Sequence, residues 1–405
     1  MQITPQQLRE IPKSDLHVHL DGSLRIETLI ELAQQQMVDL PSYSPEGLNE
    51  LVFKPHYANL TEYLRGFAYT CAVMQDPESL ERIAFELAED CVAENVRYLE
   101  VRFAPQLHAA NSADMVWVLS AVARGLERAA AAANRDPEVV AGRALPFEYG
   151  LICCAMRTFG AGMAKYYDCL LQALPSTPPK SVVSYASYEL ARVITRLRDE
   201  NGLPIVGFDI AGAEAGHPAK YHRDAYMHCR RNFVGVTVHA GEAYGPESIY
   251  DAIFECGATR IGHGTNLFAS RMIQDAEIAD RPLFCERLAE YIARTRTTLE
   301  VCPTSNLQTL PAIKSLAEHP LREMMAHRLS IAICTDNRLV SHTTVTDEFA
   351  RVVEALKLDV STLRQLVISG FKGAFFPRNY RRKRHYVRQM LEQFDRVFTA
   401  EPSQN

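Results

Sequence analysis

The sequence predicts an α/β protein built as a (β/α)8 (TIM) barrel with extra peripheral helices. Eight short, β-rich apolar runs recur along the 405 residues, at 15–20, 97–103, 147–155, 205–210, 234–239, 259–262, 298–302 and 330–334. Segments with helical spacing separate them, at 78–94, 115–133, 185–200 and 247–256 among others. Strands alternating with helices make βαβ units and a parallel sheet. The runs are nearly continuous in hydrophobicity rather than alternating, as in strands covered on both faces.

Taken in order, the first run is followed by an excursion of about 80 residues with helical pieces, including 60–74, before the second run begins. Runs two to eight then come at the spacing of βα units. The rhythm breaks twice more, in Ala-rich and Pro-rich stretches near 129–145 and 172–184, which read as peripheral insertions. No internal repeat or linker marks a boundary, so residues 1–405 read as one domain; barrels of this length occur as single units.

Composition excludes several classes. With 43 basic and 49 acidic residues the formal net charge is −6, and apolar residues make up 47%; disorder needs fewer apolar residues and a larger charge imbalance. A nucleic-acid binder carries a basic surplus, which is absent here. The one basic run, Arg378 to His385, reads as a solvated helix face. No stretch of 18 or more apolar residues suggests a membrane span, and the first 13 residues lack the apolar middle of a secretory signal. None of the ten cysteines forms a CxxC pair, so they read as reduced thiols and the chain as cytoplasmic.

Chemistry collects where the strands end. Run one ends His17-Val18-His19, run five His239-Ala240-Gly241-Glu242, run six leads into Gly262-His263-Gly264, and run eight into Asp336-Asn337. In a barrel those ends converge on one mouth. Residues two apart on a strand point the same way, so His17 and His19 offer both imidazoles to one ion. His239 adds a third nitrogen and Asp336 a carboxylate, a donor set suited to a borderline divalent metal, Zn2+ foremost. Each element has a plainer reading: a core histidine, or Asp336 as a helix N-cap. It is their coincidence at one mouth that favours a metal. Glu242, three residues after His239, is placed for proton transfer, the plainer reading being a surface residue that opens a helix.

The motifs PKSDLHVHLDGS, DIAGAE, VHAGE, RIGHGT, EVCPTSN and CTDN, in order from Pro12 to about Asn337, resemble the adenosine deaminase family of the amidohydrolase superfamily. The 24 residues between His239 and His263 also match that family's spacing. The resemblance implies one Zn2+ per chain on His17, His19, His239 and Asp336. It implies Glu242 as the donor of a proton to purine N1 while hydroxide attacks C6, with His263 holding that hydroxide. It places Asp21 on ribose hydroxyls, Gly212 on purine N3, Asn337 on purine N7 and His19 beside the substrate. The implied reaction is hydrolytic deamination of adenosine and 2′-deoxyadenosine to the inosine product and ammonia. The partner is then a small purine nucleoside, with no nucleic acid or membrane and no protein partner indicated. The segment NLTEYLRGF resembles the family's apolar cover, with Tyr63, Leu64 and Phe67 on one helical face.

Two departures matter. Asn337 stands where the family commonly has a second aspartate, and its amide donates to a purine nitrogen without first taking up a proton. Ala213 replaces a more usual acidic residue. Both keep open a deaminase of another 6-aminopurine, such as adenine or aminodeoxyfutalosine; Asp21, where adenine deaminases usually carry glutamate, favours adenosine. A two-metal hydrolase of the superfamily needs a carboxylated lysine near the end of strand four, and that strand ends Asp209-Ile210-Ala211-Gly212. A non-catalytic scaffold is disfavoured by the intact ligand set. Glu214 is a candidate to hydrogen-bond near the ligand set and Ser305 and Asn306 to brace the mouth, and His217 and His108 are given no metal role.

Overall fold

A computed structural model describes residues 3–58, 60–310 and 312–399. Eight parallel strands follow one another in a single sheet in chain order. They are β1 (Lys13–His19), β2 (Val96–Phe103), β3 (Glu148–Met156), β4 (Ile205–Ala211), β5 (Gly235–Ala240), β6 (Arg260–His263), β7 (Thr298–Val301) and β8 (Ser330–Ile333). Each lies on one of the eight apolar runs, with ends displaced by one or two residues. The strands are buried along nearly their whole length. That is why their sequences read as continuous apolar runs.

The barrel closes without a regular ladder between β8 and β1. Just past β8, Val18 and Asp336 form a parallel bridge. The His19 N–H donates to the Asp336 carbonyl at 2.7 Å, and the Asp336 N–H donates to the His17 carbonyl at 2.8 Å. The seam that closes the sheet therefore ties together three of the four proposed ligand residues.

Helices 115–133 and 78–94 appear as Met115–Ala133 and Pro77–Ala93, the latter N-capped by Asp76. The helix expected at 185–200 begins six residues earlier, at Pro179. The Pro-rich stretch supplies its first turn, where proline's fixed φ and missing N–H cost nothing. The segment near 129–145 finishes the preceding helix and adds a short turn, Pro137–Val140. The continuous helix expected over 60–74 is instead Leu60–Tyr63, a 3-10 turn at Leu64–Gly66, and Phe67–Ala72.

Each of the ten cysteines is unpaired, and eight are buried. The basic run lies at the start of the C-terminal helix Tyr380–Thr399, where Arg381, Arg382, Arg384 and His385 are exposed. Among the described residues no helix is long and apolar enough to cross a membrane.

Candidate active site

A cavity of about 840 Å³ opens at the C-terminal ends of the strands, lined by His19, Asp21, Gly212, His239, Glu242, His263, Asp336 and Asn337 among others. His17 lies just beneath, fully buried. The structure thus brings together every site residue expected from the sequence.

The four candidate ligands converge on one point. His19 Nε2 and His239 Nε2 lie 3.2 Å apart, and Asp336 Oδ1 lies 3.5 Å from both His17 Nε2 and His19 Nε2. Tetrahedral Zn2+ with bonds of about 2.0–2.1 Å requires ligand atoms about 3.3 Å apart. His17 Nε2 is buried and has no hydrogen-bond partner, and the Nε2 atoms of His19 and His239 face each other across a gap that a metal cation, or a proton on one ring, fills. The residues present fit a divalent metal.

Two of the three rings are held from behind. His17 Nδ1 sits 2.8 Å from Glu300 Oε2, and His239 Nδ1 sits 2.8 Å from Asp209 Oδ2. A carboxylate there fixes the tautomer that leaves Nε2 free for metal. These two carboxylates belong to a fully buried ion network. Arg102 bridges Asp209 and Glu300 at 2.6 and 2.7 Å, and Arg260 bridges Glu300 and Glu100 at 2.6 Å each. Ser305 Oγ donates to Asp336 Oδ2 at 2.6 Å, and Asn306 Nδ2 lies 3.1 Å from His263 Nδ1. The bracing expected of Ser305 and Asn306 is present. Sequence reading did not single out Asp209, Glu300, Arg102 and Arg260, although a charged residue inside an apolar run is itself a signal.

Backbone geometry marks the same place. His263 and Asp336 hold φ of 66° and 65°, a left-handed conformation uncommon outside glycine and concentrated at functional sites. Gly262 is required by close approach: a Cβ there would lie 2.9 Å from His17 Cε1 and 3.2 Å from His239 Cα. Gly212 lines the cavity at φ 96°, which only glycine adopts without strain.

Glu242 is buried rather than on the surface, and the next helix begins four residues later, at Pro246. Burial, reinforced by the carboxylates of Asp336 and Glu214, pushes its carboxyl well above the ordinary range. Its Oε2 is 3.7 Å from His263 Nε2, and burial holds the His263 imidazole well below its usual value. Burial also pushes Asp21 up to about 7. Glu214 holds the loop that carries Glu242. Its carboxylate accepts from the N–H groups of Gly241 (2.8 Å), Glu242 (3.0 Å), Ala243 (2.6 Å) and Tyr244 (2.9 Å), and from the Ser248 hydroxyl.

Over the mouth lie Leu60, Tyr63, Leu64 and Phe67; Asn59, the first residue of that expected cover, is outside the described residues. The broken helix still turns Tyr63, Leu64 and Phe67 to the cavity. Tyr63 Oη accepts from Asn337 Nδ2 at 2.8 Å and pairs with Ser341 Oγ at 2.9 Å. One of the two Asn337 amide hydrogens is thereby engaged and the second is left over. His217 stays out of the site, its carbonyl accepting from Arg157 at 2.7 Å.

The family model for adenosine deaminase matches residues 12–388. An adenosine deaminase from Mycolicibacterium vanbaalenii is 39% identical over 376 residues, covering 92% of each chain. One from Mycobacterium bovis is 37% identical over 377 residues, again 92% of each. Among solved structures, an adenine deaminase from Arthrobacter aurescens superposes with a TM-score of 0.71 at 23% identity, over 95% of this chain and 99% of that one. An amidohydrolase from Burkholderia ambifaria with bound Zn gives 0.71 at 20%, over 98% and 95%. The barrel, the cluster at its mouth and a match spanning nearly the whole sequence agree: the chain belongs to the adenosine deaminase family and is a hydrolytic deaminase.

Proposed function

We propose that this protein deaminates adenosine and 2′-deoxyadenosine to the inosine product and ammonia, using one Zn2+ per chain held by His17, His19, His239 and Asp336. The observation that carries the reading is a buried Glu242 facing the same cavity as the four-ligand cluster and Asp21. When bound, the metal supplies the Lewis acidity that makes water nucleophilic near neutral pH.

This chain's residues do the rest. Glu242, whose burial favours the protonated carboxyl, donates to purine N1, which draws electron density from C6 and opens it to addition. His263, kept neutral by burial, receives the proton of the attacking water. Collapse of the tetrahedral centre passes the proton held by His263 to the departing amine and the C6 hydroxyl proton back to Glu242, releasing ammonia and leaving a 6-oxopurine. The Gly212 N–H is aimed at N3, the remaining Asn337 N–H at N7, and Asp21 at a ribose hydroxyl, with His19 beside it. Asp21 favours a nucleoside over a free base, and the absence of a lysine on β4 favours one metal over two.

An ammonia-release assay on zinc-loaded protein tests this, with adenosine, 2′-deoxyadenosine, adenine and aminodeoxyfutalosine compared side by side. Adenosine is expected to turn over fastest, and a clear preference for adenine or aminodeoxyfutalosine would move the substrate. In the same assay Glu242→Gln retains its zinc and loses roughly 10²–10⁴-fold in kcat, the usual contribution of a positioned acid. Full activity in that variant would remove Glu242 from the reaction.

A further inference from the structure

Beside the metal cluster lies a second group of buried polar atoms with a different geometry. Asp21, Cys71 and His108 bring one polar atom each within 4.8 Å of one another, and Cys71 Sγ is 4.0 Å from Asp21 Oδ2. Asp21 and His108 are 5% and 2% exposed. Asp21 Oδ1 and His108 Nε2 are both buried without a hydrogen-bond partner. Leaving such atoms unmatched is costly, so two of them on residues this close together point to an absent ligand.

The spacing says what kind. An oxygen at the centre of three atoms up to 4.8 Å apart lies no more than about 2.8 Å from each, within hydrogen-bond reach of all three. A metal with bonds of about 2.0–2.3 Å needs ligand atoms near 3.3–3.5 Å, whereas Cys71 Sγ and Asp21 Oδ2 stand 4.0 Å apart. A hydroxyl both donates and accepts, and so satisfies a carboxylate and an imidazole together. The cavity reaches this place, since Asp21, Cys71, Gln75 and Leu107 all line it. Gln75 Nε2 lies 3.5 Å from His108 Nδ1 and donates to the Cys71 carbonyl at 2.7 Å.

We infer that His108 is a second sugar-binding residue, which together with Asp21 clamps one ribose hydroxyl and makes the site selective for nucleosides over free bases. The inference rests on the adenosine reading above. His108 is buried and held neutral, its imidazole pushed down to about 4 by burial, so it offers a dipole and not a charge to the sugar.

The test is a KM and kcat panel on zinc-loaded wild type, His108→Leu and His108→Asn, with adenosine and its 2′-, 3′- and 5′-deoxy analogues. In wild type, one deoxy analogue is expected to show KM about tenfold above adenosine at similar kcat. His108→Leu raises KM for adenosine about tenfold and adds nothing for that analogue, while His108→Asn recovers part of the loss. Equal KM for all four substrates in wild type overturns the inference whether or not the variants fold. A His108→Leu loss that is uniform across the panel, or falls on kcat, also overturns it by making His108 merely structural. Wild type inactive on adenosine but active on adenine instead fails the adenosine reading itself.

Discussion

The floor of the cavity and its roof are held by different forces. At the floor, β2, β4, β6 and β7 contribute Glu100, Arg102, Asp209, Arg260 and Glu300, all essentially unexposed and joined by ion pairs of 2.6–2.7 Å. At the roof, Leu60–Tyr63 and Phe67–Ala72 lay apolar side chains over the mouth, with Tyr63 reaching down to Asn337 and Ser341. A buried ion network tolerates little displacement, because removing one partner strands a charge at a cost of about 3–5 kcal/mol. Apolar packing is non-directional and lets a segment shift as a body. The difference suits the two tasks: metal ligands need fixed geometry, whereas a cover must let substrate pass.

If the floor is the rigid element, its ligands should be the least replaceable residues. Asp336→Ala or His17→Ala is expected to lose bound zinc and at least roughly 10³-fold in kcat, since the metal supplies the nucleophile, while the sheet still folds. Metal content by elemental analysis, set beside circular dichroism, checks this. Retained zinc with retained turnover would break the comparison at its strongest point.

The floor is also braced from outside. Glu348 is fully buried and accepts from the Thr304 N–H (3.1 Å) and the Thr343 hydroxyl (2.6 Å). Thr304 lies in the short helix Pro303–Thr309, which carries Ser305 and Asn306. Burial pushes the Glu348 carboxyl up to about 7, from an ordinary value of about 4.3. The native state therefore holds the proton more tightly than the unfolded chain. Stability from this group is complete below about 4.3 and is lost as pH rises through about 7. Across that window each pH unit costs about 1.4 kcal/mol, so the loss is at most about 4 kcal/mol. Melting temperature measured from about pH 4.5 to pH 8, which spans the window, should fall less steeply in Glu348→Gln than in wild type. Parallel curves would show that Glu348 ionises in place at no cost.

Much of the floor was legible in the sequence because burial on both faces leaves each strand a continuous apolar run. A histidine or aspartate interrupting such a run then has few places to point. The carboxylates behind the ligands interrupt the same runs, but their partners lie far off: Arg102 meets Asp209 and Glu300, 107 and 198 residues away. Residue type gave the charge and could not give the pairing. The roof was less legible. Spacing suggested one helix over 60–74, and the 3-10 turn at Leu64–Gly66 falls where Gly66 packs closely on Phe53 and Val52, a contact that local periodicity does not encode. His108 was not legible as a site residue, because its meaning comes from Asp21 and Cys71, brought beside it only by the fold.

Glu214 stands between floor and mouth. Four backbone N–H groups and one hydroxyl converge on its carboxylate, so it positions residues 241–244 and through them Glu242. Glu214→Gln replaces one acceptor oxygen with an amide that turns hydrogens toward those donors. We expect kcat to fall about 10–100-fold, as when a positioning partner is lost, with zinc content and KM little changed. In a Glu242→Gln background the same substitution should cost almost nothing more, since it acts through Glu242. Additive losses would make Glu214 structural.

The smallest effect should come from the roof. Tyr63→Phe keeps the ring against Tyr57, whose centroid is 5.0 Å away, and deletes the hydroxyl that meets Asn337 and Ser341. One neutral hydrogen bond contributes about 1 kcal/mol net, and the Asn337 amide, freed from Tyr63, can turn both its hydrogens to the purine. KM for adenosine should therefore move by no more than about fivefold, the equivalent of that one bond, with kcat and bound zinc unchanged. A collapse of kcat in Tyr63→Phe would mean that the roof sets the geometry of the floor, and the two regions would have to be treated as one mechanical unit.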